Sequence, residues 1–494
     1  MDSILDAAIV NQFIGLLQSR LGIAIKNHQY SELQKTILNT AAQFNIKPVD
    51  LLKKMSVCQE NDPIFESIII GVTVGESYFF RDTDQFEFLE HFLIPDIISR
   101  KLQLPFSTLR IWSAGCSSGE EIYSIAMLLN ECSFYKEKIK VQLIGSDINC
   151  DALRRAKEGA YTEWSFRSTP EHYRKKYFTQ KENRYYLNET IKNSVQFNYV
   201  NINNFTYPSI INGIFALDVI LCRNVFIYFD IDRIKRIMKQ FSASLCADGC
   251  LILGASDPAI FSSNDLERCQ YQSTYYFKKA AVTLSAEFNH LKEIPTHAST
   301  IKQNLVTEIL TAKKTQAPSL INPDFEVHLN QLMNENKFEN VLYYINQNNI
   351  NKLTYEIELI RIRCLANLGF IQLAESHCIS LLKTHTLSSE IYYLLGLCQS
   401  ELKQLDAAEA SFRKALFLDQ HYIAAQIQLG NLLLRQHNKT EGLRLLKRCL
   451  DVLNNLSEDH KVKDYPHMDA GKLQQLLKNE LSLYQEVEEL NDKT

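Results

Sequence analysis

The chain has no surplus of either charge. Its 53 Lys and Arg residues stand against 57 Asp and Glu, a net charge of −4, which offers no electrostatic footprint for nucleic acid. Long apolar runs are missing as well. Stretches such as 67–74 are far too short to cross a bilayer, so no membrane insertion is expected. The first ten residues, MDSILDAAIV, carry two aspartates and no basic stretch, which argues against a secretory signal. Paired cysteine spacings are scarce among the 12 cysteines. Cys246 and Cys250 have no second pair to complete a zinc site, so neither a metal nor a disulfide framework is expected. Free thiols suit a reducing cytoplasm. What remains is an ordinary globular composition, 46% apolar and 22% charged over 494 residues, enough for two to four separate cores.

The texture changes along the chain. Residues 1–90 place Leu17, Leu21, Ile25, Leu33, Ile37 and Leu38 at roughly helical spacing and predict a helical domain. Strand-like runs follow at 109–114, 141–148, 195–202 and 217–222, with a helical face at Ile122, Ile125, Ala126 and Leu129. A helix over 231–246 and strands at 250–255 and 271–278 complete an alternation that predicts a doubly wound α/β domain over 91–283. The Tyr-, Lys- and Arg-rich stretch 157–194 breaks that alternation and is expected to be an inserted small β-subdomain. Residues 284–320 lose periodicity and read as a linker. Beyond it Gly396 and Gly430 lie 34 residues apart, followed by small residues at Ala408 and Gly442 and apolar ones at Phe412 and Leu446. Ala374 and Cys378 fall in register one period earlier, and a fainter copy lies near Lys337 and Phe338. This is the tetratricopeptide period, in which helix pairs bury their faces only by stacking. An all-α repeat domain is expected over 321–455 and a helical tail over 456–494.

Three strand ends carry polar chemistry. Ile111 to Glu121 runs from a strand through Ala114, Gly115 and Cys116 into a helix, as in loops that admit a ligand close to the backbone. Only two glycines are present and Glu120 and Glu121 occupy the first turn, where they repel a pyrophosphate but suit a cationic amino group. The next strand ends in Gly145-Ser146-Asp147, where Asp147 either captures ribose hydroxyls or caps the following helix. Cys222-Arg223-Asn224 then leads into Val225-Phe226-Ile227-Tyr228-Phe229-Asp230. Arg223 and Tyr228 read either as crevice groups or as a surface ion pair and a core aromatic. Upstream, Gly75-Glu76-Ser77-Tyr78-Phe79-Phe80-Arg81-Asp82 by itself reads best as a packing segment capped by Asp82.

Together these four segments resemble, in order and spacing, the CheR family of chemotaxis receptor methyltransferases, over roughly residues 10–280. Members with tetratricopeptide repeats behind the catalytic domain resemble the whole chain. The resemblance implies a class I methyltransferase domain that transfers a methyl group from S-adenosylmethionine to glutamates on a chemoreceptor's cytoplasmic domain. It implies that Gly75, Ser77 and Arg81 line the cofactor site, with Arg81 beside the transfer centre. Ala114, Gly115 and Cys116, with Glu120 or Glu121, would hold the methionine part. Asp147 would take the ribose, Asn201 and Ile202 the adenine, Arg223 and Asn224 would also border the cofactor, and Arg223 with Tyr228 would line the cleft near the incoming carboxylate.

Three departures stand out. Gly75 replaces a frequent Asn, and Ile122 replaces a usual Pro. The helix that often carries a run of docking arginines reads Glu32 to Asn39 with only Lys35 basic. The cations of 172–184 are then an alternative receptor-contact surface. The rival readings are a nucleic-acid or small-molecule methyltransferase, disfavoured because Arg223-Asn224-Val225 replaces an Asn-Pro-Pro-Tyr strand end, and a catalytically weak scaffold. The repeats either cap or dimerise the chain, or offer a groove to a protein partner.

Overall fold

The computed structural model describes residues 5–57, 62–73, 75–103, 107–132, 139–203, 207–258, 265–279, 323–347, 354–436, 438–465, 468–478 and 481. The expected linker and Val74 lie outside the described residues. Four helices open the chain: α1 (Ala7–Leu21), α2 (Tyr30–Gln43), α3 (Pro48–Val57) and α4 (Pro63–Val72). Their starts follow from local chemistry. Asp6 and Asp62 each accept a backbone N–H from inside the first turn, and Pro63 follows its cap, a position that needs no N–H donor. Phe13, Leu17, Ile37, Phe65 and Ile68 fill a core of their own. Residues 75–82, without helix or strand, lead to α5 (Thr83–Phe88), a π-helical turn and α6 (Ile94–Leu102).

The central sheet comprises β1 (Ser107–Ala114), β2 (Ile139–Asp147), β6 (Val195–Tyr199), β7 (Leu217–Cys222), β8 (Leu245–Leu253), β9 (Leu266–Tyr271) and β10 (Thr274–Lys279). Their order is β6-β2-β1-β7-β8-β10-β9, parallel through β8 and antiparallel at the β10–β9 edge. Helices α7 (Glu120–Glu131), α8 (Cys150–Glu158) and α11 (Ile231–Ser244) connect the strands. Strand β7 is buried along its whole length, which is why Val219 to Cys222 read as one apolar run, while the buried Asp218 pairs with Lys101 at 2.8 Å. The chain builds outward from β1 to β2 and β6, then returns to place β7 on the other side of β1. The switch point, where such sheets bind ligands, therefore lies between β1 and β7.

Two details differ from the sequence expectation. β8 begins at Leu245, earlier than expected, because Leu245 already pairs with Leu217 across a bulge; Asp248-Gly249 looks like a turn in sequence and is that bulge. The last strand is a hairpin of two, β9 and β10. The inserted subdomain holds β3 (Ala160–Tyr161), β4 (Phe178–Lys181) and β5 (Arg184–Leu187), with α9 (Glu171–Tyr177) before β4 and α10 (Glu189–Lys192) behind β5. Its aromatics clamp Phe79, which meets Tyr161, Phe166 and Phe178 at ring distances of 4.8, 5.2 and 5.0 Å.

Eight helices follow in pairs: α12 (Pro323–Asn334) and α13 (Phe338–Gln347), α14 (Tyr355–Asn367) and α15 (Ile371–Leu382), α16 (Ser389–Glu401) and α17 (Leu405–Leu418), α18 (Ile423–Arg435) and α19 (Lys439–Asn454). The first helices of the last three pairs start 34 residues apart, at 355, 389 and 423. The glycines of the period sit at the crossings: a Cβ on Gly396 would lie 2.6 Å from Phe412, and one on Gly430 2.7 Å from Leu446. The faint copy near Phe338 is a real helix pair. Among the described residues of the tail, helix begins at residue 470, after turns at 458–459 and 463–464.

The array packs against the amino ends of the strands. Arg110 of β1 pairs with Glu401 at 3.0 Å, both nearly buried. Lys140 of β2 donates to the Glu401 carbonyl at 2.5 Å, and the Ile210 N–H donates to Asn367 at 2.8 Å. Phe215 and Ala216 join the array's own core. Among the described residues no helix is long and apolar enough to cross a membrane.

Candidate active site

The loop after β1 is held in a shape only glycine tolerates. Gly115 has φ +87°, and a Cβ there would meet Val225 at 2.4 Å. Its N–H and that of Cys116 both donate to the Ser146 carbonyl, at 2.7 and 2.8 Å, which ties the loop to the end of β2. Next in line, the Ser117 N–H donates to Asp147 at 2.8 Å, while the other Asp147 oxygen accepts from the Asn149 N–H at 2.9 Å. The cap of α8 is Asn149, whose side chain accepts from Ala152, so the capping role read for Asp147 belongs to its neighbour. Burial pushes the Asp147 carboxyl up, against the pull of those backbone N–H groups.

The adjacent glutamates diverge. Glu120 turns away from the switch point. It accepts from Ser118 at 3.0 Å and Ser165 at 3.4 Å, and from Ser77, and burial raises its pKa. Glu121 turns toward β7, accepting from Ser113 at 2.6 Å and from Arg223 at 3.0 Å. Arg223, 4% exposed in its side chain, also lies 3.7 Å from Asp82 and donates to the Arg81 carbonyl at 2.5 Å. The segment 75–82 is thereby pinned between β7 and the subdomain, where the Phe79 N–H donates to Ser165 at 3.0 Å. Asp82 makes no side-chain cap to α5; its carboxylate serves Arg223 instead.

Asn224 holds φ +58°, and its N–H donates to Asp257 at 2.6 Å. The Gly254 N–H reaches the same oxygen at 2.8 Å. Phe80, Asp82 and Ser117 are likewise left-handed, at φ +56°, +70° and +50°. Strained non-glycine residues gathered on the loops of one crevice mark a site over-determined by its surroundings.

Of the residues named from sequence, Gly75, Ser77, Arg81, Ala114, Gly115, Cys116, Glu120, Glu121, Asp147, Arg223 and Asn224 lie on these interlocked loops. Cys116 is fully buried and presents only backbone. Asn201 and Ile202 follow β6; Asn201 accepts from the Asn203 N–H at 3.1 Å, and Ile202 accepts from the Tyr207 hydroxyl at 3.0 Å. Tyr228 follows Arg223 and Asn224 on the segment after β7, and its carbonyl accepts the Ala24 N–H at 2.7 Å, which ties that segment to the N-terminal helices. Asp230 is the cap of α11. Asp257 was missed from sequence, although Gly254-Ala255-Ser256-Asp257 repeats the strand-end signal of Gly145-Ser146-Asp147.

These residues fit S-adenosylmethionine. Glu121 and Asp147 are carboxylates, the type of group that suits an ammonium or ribose hydroxyls. The buried Asn201 Nδ2 and Arg223 Nε have no hydrogen-bond partner among the described residues, and buried donors ordinarily find one. Among the described residues no group of three or more His, Cys, Asp or Glu is placed to hold a metal ion.

Comparison with known proteins agrees. The family described as "CheR methyltransferase, SAM binding domain" matches residues 75–276. The chain is 35% identical over 214 residues to chemotaxis protein methyltransferase 2 of Vibrio cholerae, covering 43% of this chain and 72% of that one. It is 34% identical over 194 residues to a chemotaxis protein methyltransferase of Borreliella burgdorferi, covering 38% of this chain and 66% of that one. A probable biofilm formation methyltransferase, WspC, of Pseudomonas putida is 24% identical over 440 residues, 89% of this chain and 97% of the relative. With the switch-point loops, the cofactor-compatible donors and these matches together, the chain belongs to the CheR family of S-adenosylmethionine-dependent methyltransferases.

Proposed function

We propose that this protein transfers the methyl group of S-adenosylmethionine to glutamate side chains of a chemoreceptor-type signalling protein, giving glutamyl methyl esters in the cytoplasm. The supporting observation is the Arg223–Glu121 pair at the switch point, which fixes a carboxylate for the cofactor's ammonium beside the segment 75–82. Bound there, the cofactor supplies an activated methyl carbon. Glu121 is the glutamate assigned to it, since Glu120 is consumed by three serines. Asp147 is assigned the ribose, Asn201 and Ile202 the adenine.

The acceptor glutamate is already ionised at neutral pH and needs no strong base. The protein's task is to align it and exclude water. Arg223 is neutralised by Glu121 and acts as a positioning residue. Arg81 is freer, since its guanidinium donates to the Glu76 carbonyl at 2.9 Å and lies 5.5 Å from the Tyr78 ring. Arg81 and Tyr228 are therefore assigned to orient the incoming carboxylate, loosely enough that its charge can vanish as the ester forms.

Receptor docking is assigned to the subdomain more than to α2, whose only basic residue is Lys35. Arg174, Lys175, Lys176 and Arg184 each rest against a carboxylate, at 2.5, 2.6, 2.7 and 3.3 Å. Such exposed pairs contribute only about 0–1 kcal/mol, so an acidic receptor exchanges for them cheaply. The domains assigned are 1–90, 91–283 with its insertion at 157–194, a linker at 284–320, a protein-interaction array at 321–455 and a tail at 456–494.

The test is isothermal titration with S-adenosylhomocysteine, comparing wild type with Asp147→Ala, followed by labelled methyl transfer to receptor cytoplasmic fragments. One-to-one binding lost in the variant, with base-labile label on the fragments, is expected. Wild-type protein that binds no cofactor product would favour the scaffold reading instead.

A further inference from the structure

Two arginines share one aromatic ring on the loops of the crevice. The Arg167 guanidinium lies 3.6 Å from the centroid of Tyr78, and that of Arg81 lies 5.5 Å from it. Both also meet Glu76, in different ways. Arg167 takes the Glu76 carboxylate at 2.7 Å, whereas Arg81 donates to the Glu76 backbone carbonyl at 2.9 Å. Among the described residues Arg81 has no ion pair, although the residue whose carbonyl it touches carries a carboxylate.

Arg167 is held ready for that carboxylate. The Trp164 ring stacks on it at 4.4 Å, and a second nitrogen donates to the Trp164 carbonyl at 3.0 Å. Its turn is tied to the segment 75–82 by the Phe79 N–H, which donates to the Ser165 carbonyl at 3.0 Å. A guanidinium fixed between rings loses little freedom when it forms an ion pair. Arg81 is fixed from the other side. Phe80 and Asp82 on either side of it hold φ +56° and +70°, and Arg223 holds its carbonyl. With both backbones pinned, the direction of the Glu76 side chain decides whether Arg81 is open. A glutamate within reach of Arg81 is an internal copy of the acceptor. Being on the same chain, it has a high effective concentration and competes with any glutamate arriving from another molecule.

We infer that Arg167 is a positioning residue for methyl transfer: it withholds the Glu76 carboxylate from Arg81 and so keeps Arg81 open to the acceptor glutamate. This rests on the assignment of Arg81 to the acceptor. Arg167 touches neither cofactor nor acceptor in this role and acts through Glu76. Its loss therefore weakens acceptor binding and leaves the chemical step and the cofactor site as they are.

The test treats the full-length protein with phenylglyoxal, which attacks unpaired guanidinium groups, and follows modification of Arg81 by peptide mass spectrometry. Arg167→Met is expected to slow that modification about threefold, the strength of an exposed ion pair. Arg167→Lys, which keeps a cation for Glu76, stays near the wild-type rate. Adding Glu76→Gln to Arg167→Met restores it. In transfer assays with receptor fragments, Arg167→Met raises the acceptor KM by a similar factor while kcat and S-adenosylhomocysteine affinity stay put, and Glu76→Gln again reverses the change. Equal Arg81 modification in wild type and Arg167→Met overturns the inference. So does a loss that Glu76→Gln fails to reverse, or one accompanied by weaker S-adenosylhomocysteine binding, because Arg167 then only holds the loop. Labelling as expected from a wild-type protein that methylates nothing leaves the shielding of Arg81 standing and sinks the enzyme assignment.

Discussion

Arg223 and Glu121 face each other at 3.0 Å across the point where the sheet reverses its direction of growth. One comes from the end of β7 and the other from the first turn of the helix after β1. The second arm of the same guanidinium holds the Arg81 carbonyl, so one side chain joins three loops that are far apart in sequence.

Removing one partner of this pair strands a buried charge. Arg223→Met is expected to lower stability by about 3 kcal/mol and to lower S-adenosylhomocysteine affinity with it. Combining it with Glu121→Gln should restore much of the stability and none of the affinity. Melting curves and titration of the three variants decide this; a double variant with wild-type affinity would remove Glu121 from the cofactor site.

Gly115→Ala meets two costs. A left-handed backbone costs an L-residue about 1–2 kcal/mol, and the new methyl would sit 2.4 Å from Val225. Adding Val225→Ala relieves the second cost only. The double variant should therefore be more stable than the sum of the singles by chemical denaturation, and simple additivity would contradict the close approach.

Asp257 holds the Asn224 and Gly254 N–H groups on one oxygen. Asp257→Ala should loosen the loop after β7 and weaken S-adenosylhomocysteine binding about tenfold, while far-UV dichroism stays native. Unchanged affinity would show that the loop keeps its shape without this anchor.

Lys140 reports on the join between sheet and array. Burial pushes its pKa down to about 8 from the ordinary 10.5, against the opposing pull of the Glu401 carboxylate. Between those values the unfolded chain still carries a proton that the folded one has released, so unfolding free energy rises with pH across that window. Below about pH 8 both states are protonated and the slope disappears. Thermal melts from pH 7 to 10 should show this rise in wild type and a flatter profile in Lys140→Met; identical profiles would place Lys140 outside the interface.

Much of this arrangement was legible before any coordinates. Central strands such as β7 are buried throughout and read as apolar runs, and the small residues at Gly396 and Gly430 mark helix crossings by their period. The loops Ala114–Cys116, Gly145–Asp147 and Arg223–Asn224 are contiguous, and each owes its chemistry to neighbours in sequence. Asp257 escaped notice because its role depends on β8 lying beside β7, a long-range fact. The β8 start escaped because a bulge looks like a turn when its partner strand is unknown.

By itself the sequence determined the elements, the repeat period and the family, since propensity, capping and spacing are local properties that need no partner. Only the tertiary structure decided which glutamate faces Arg223, that Asn149 and not Asp147 caps α8, that the array seats on the amino ends of the strands, and that Asp464 pairs with Arg363 of the repeats. Each of these is a pairing between residues distant in sequence, and buried charges and hydrogen bonds choose their partners only when the fold has brought the candidates together.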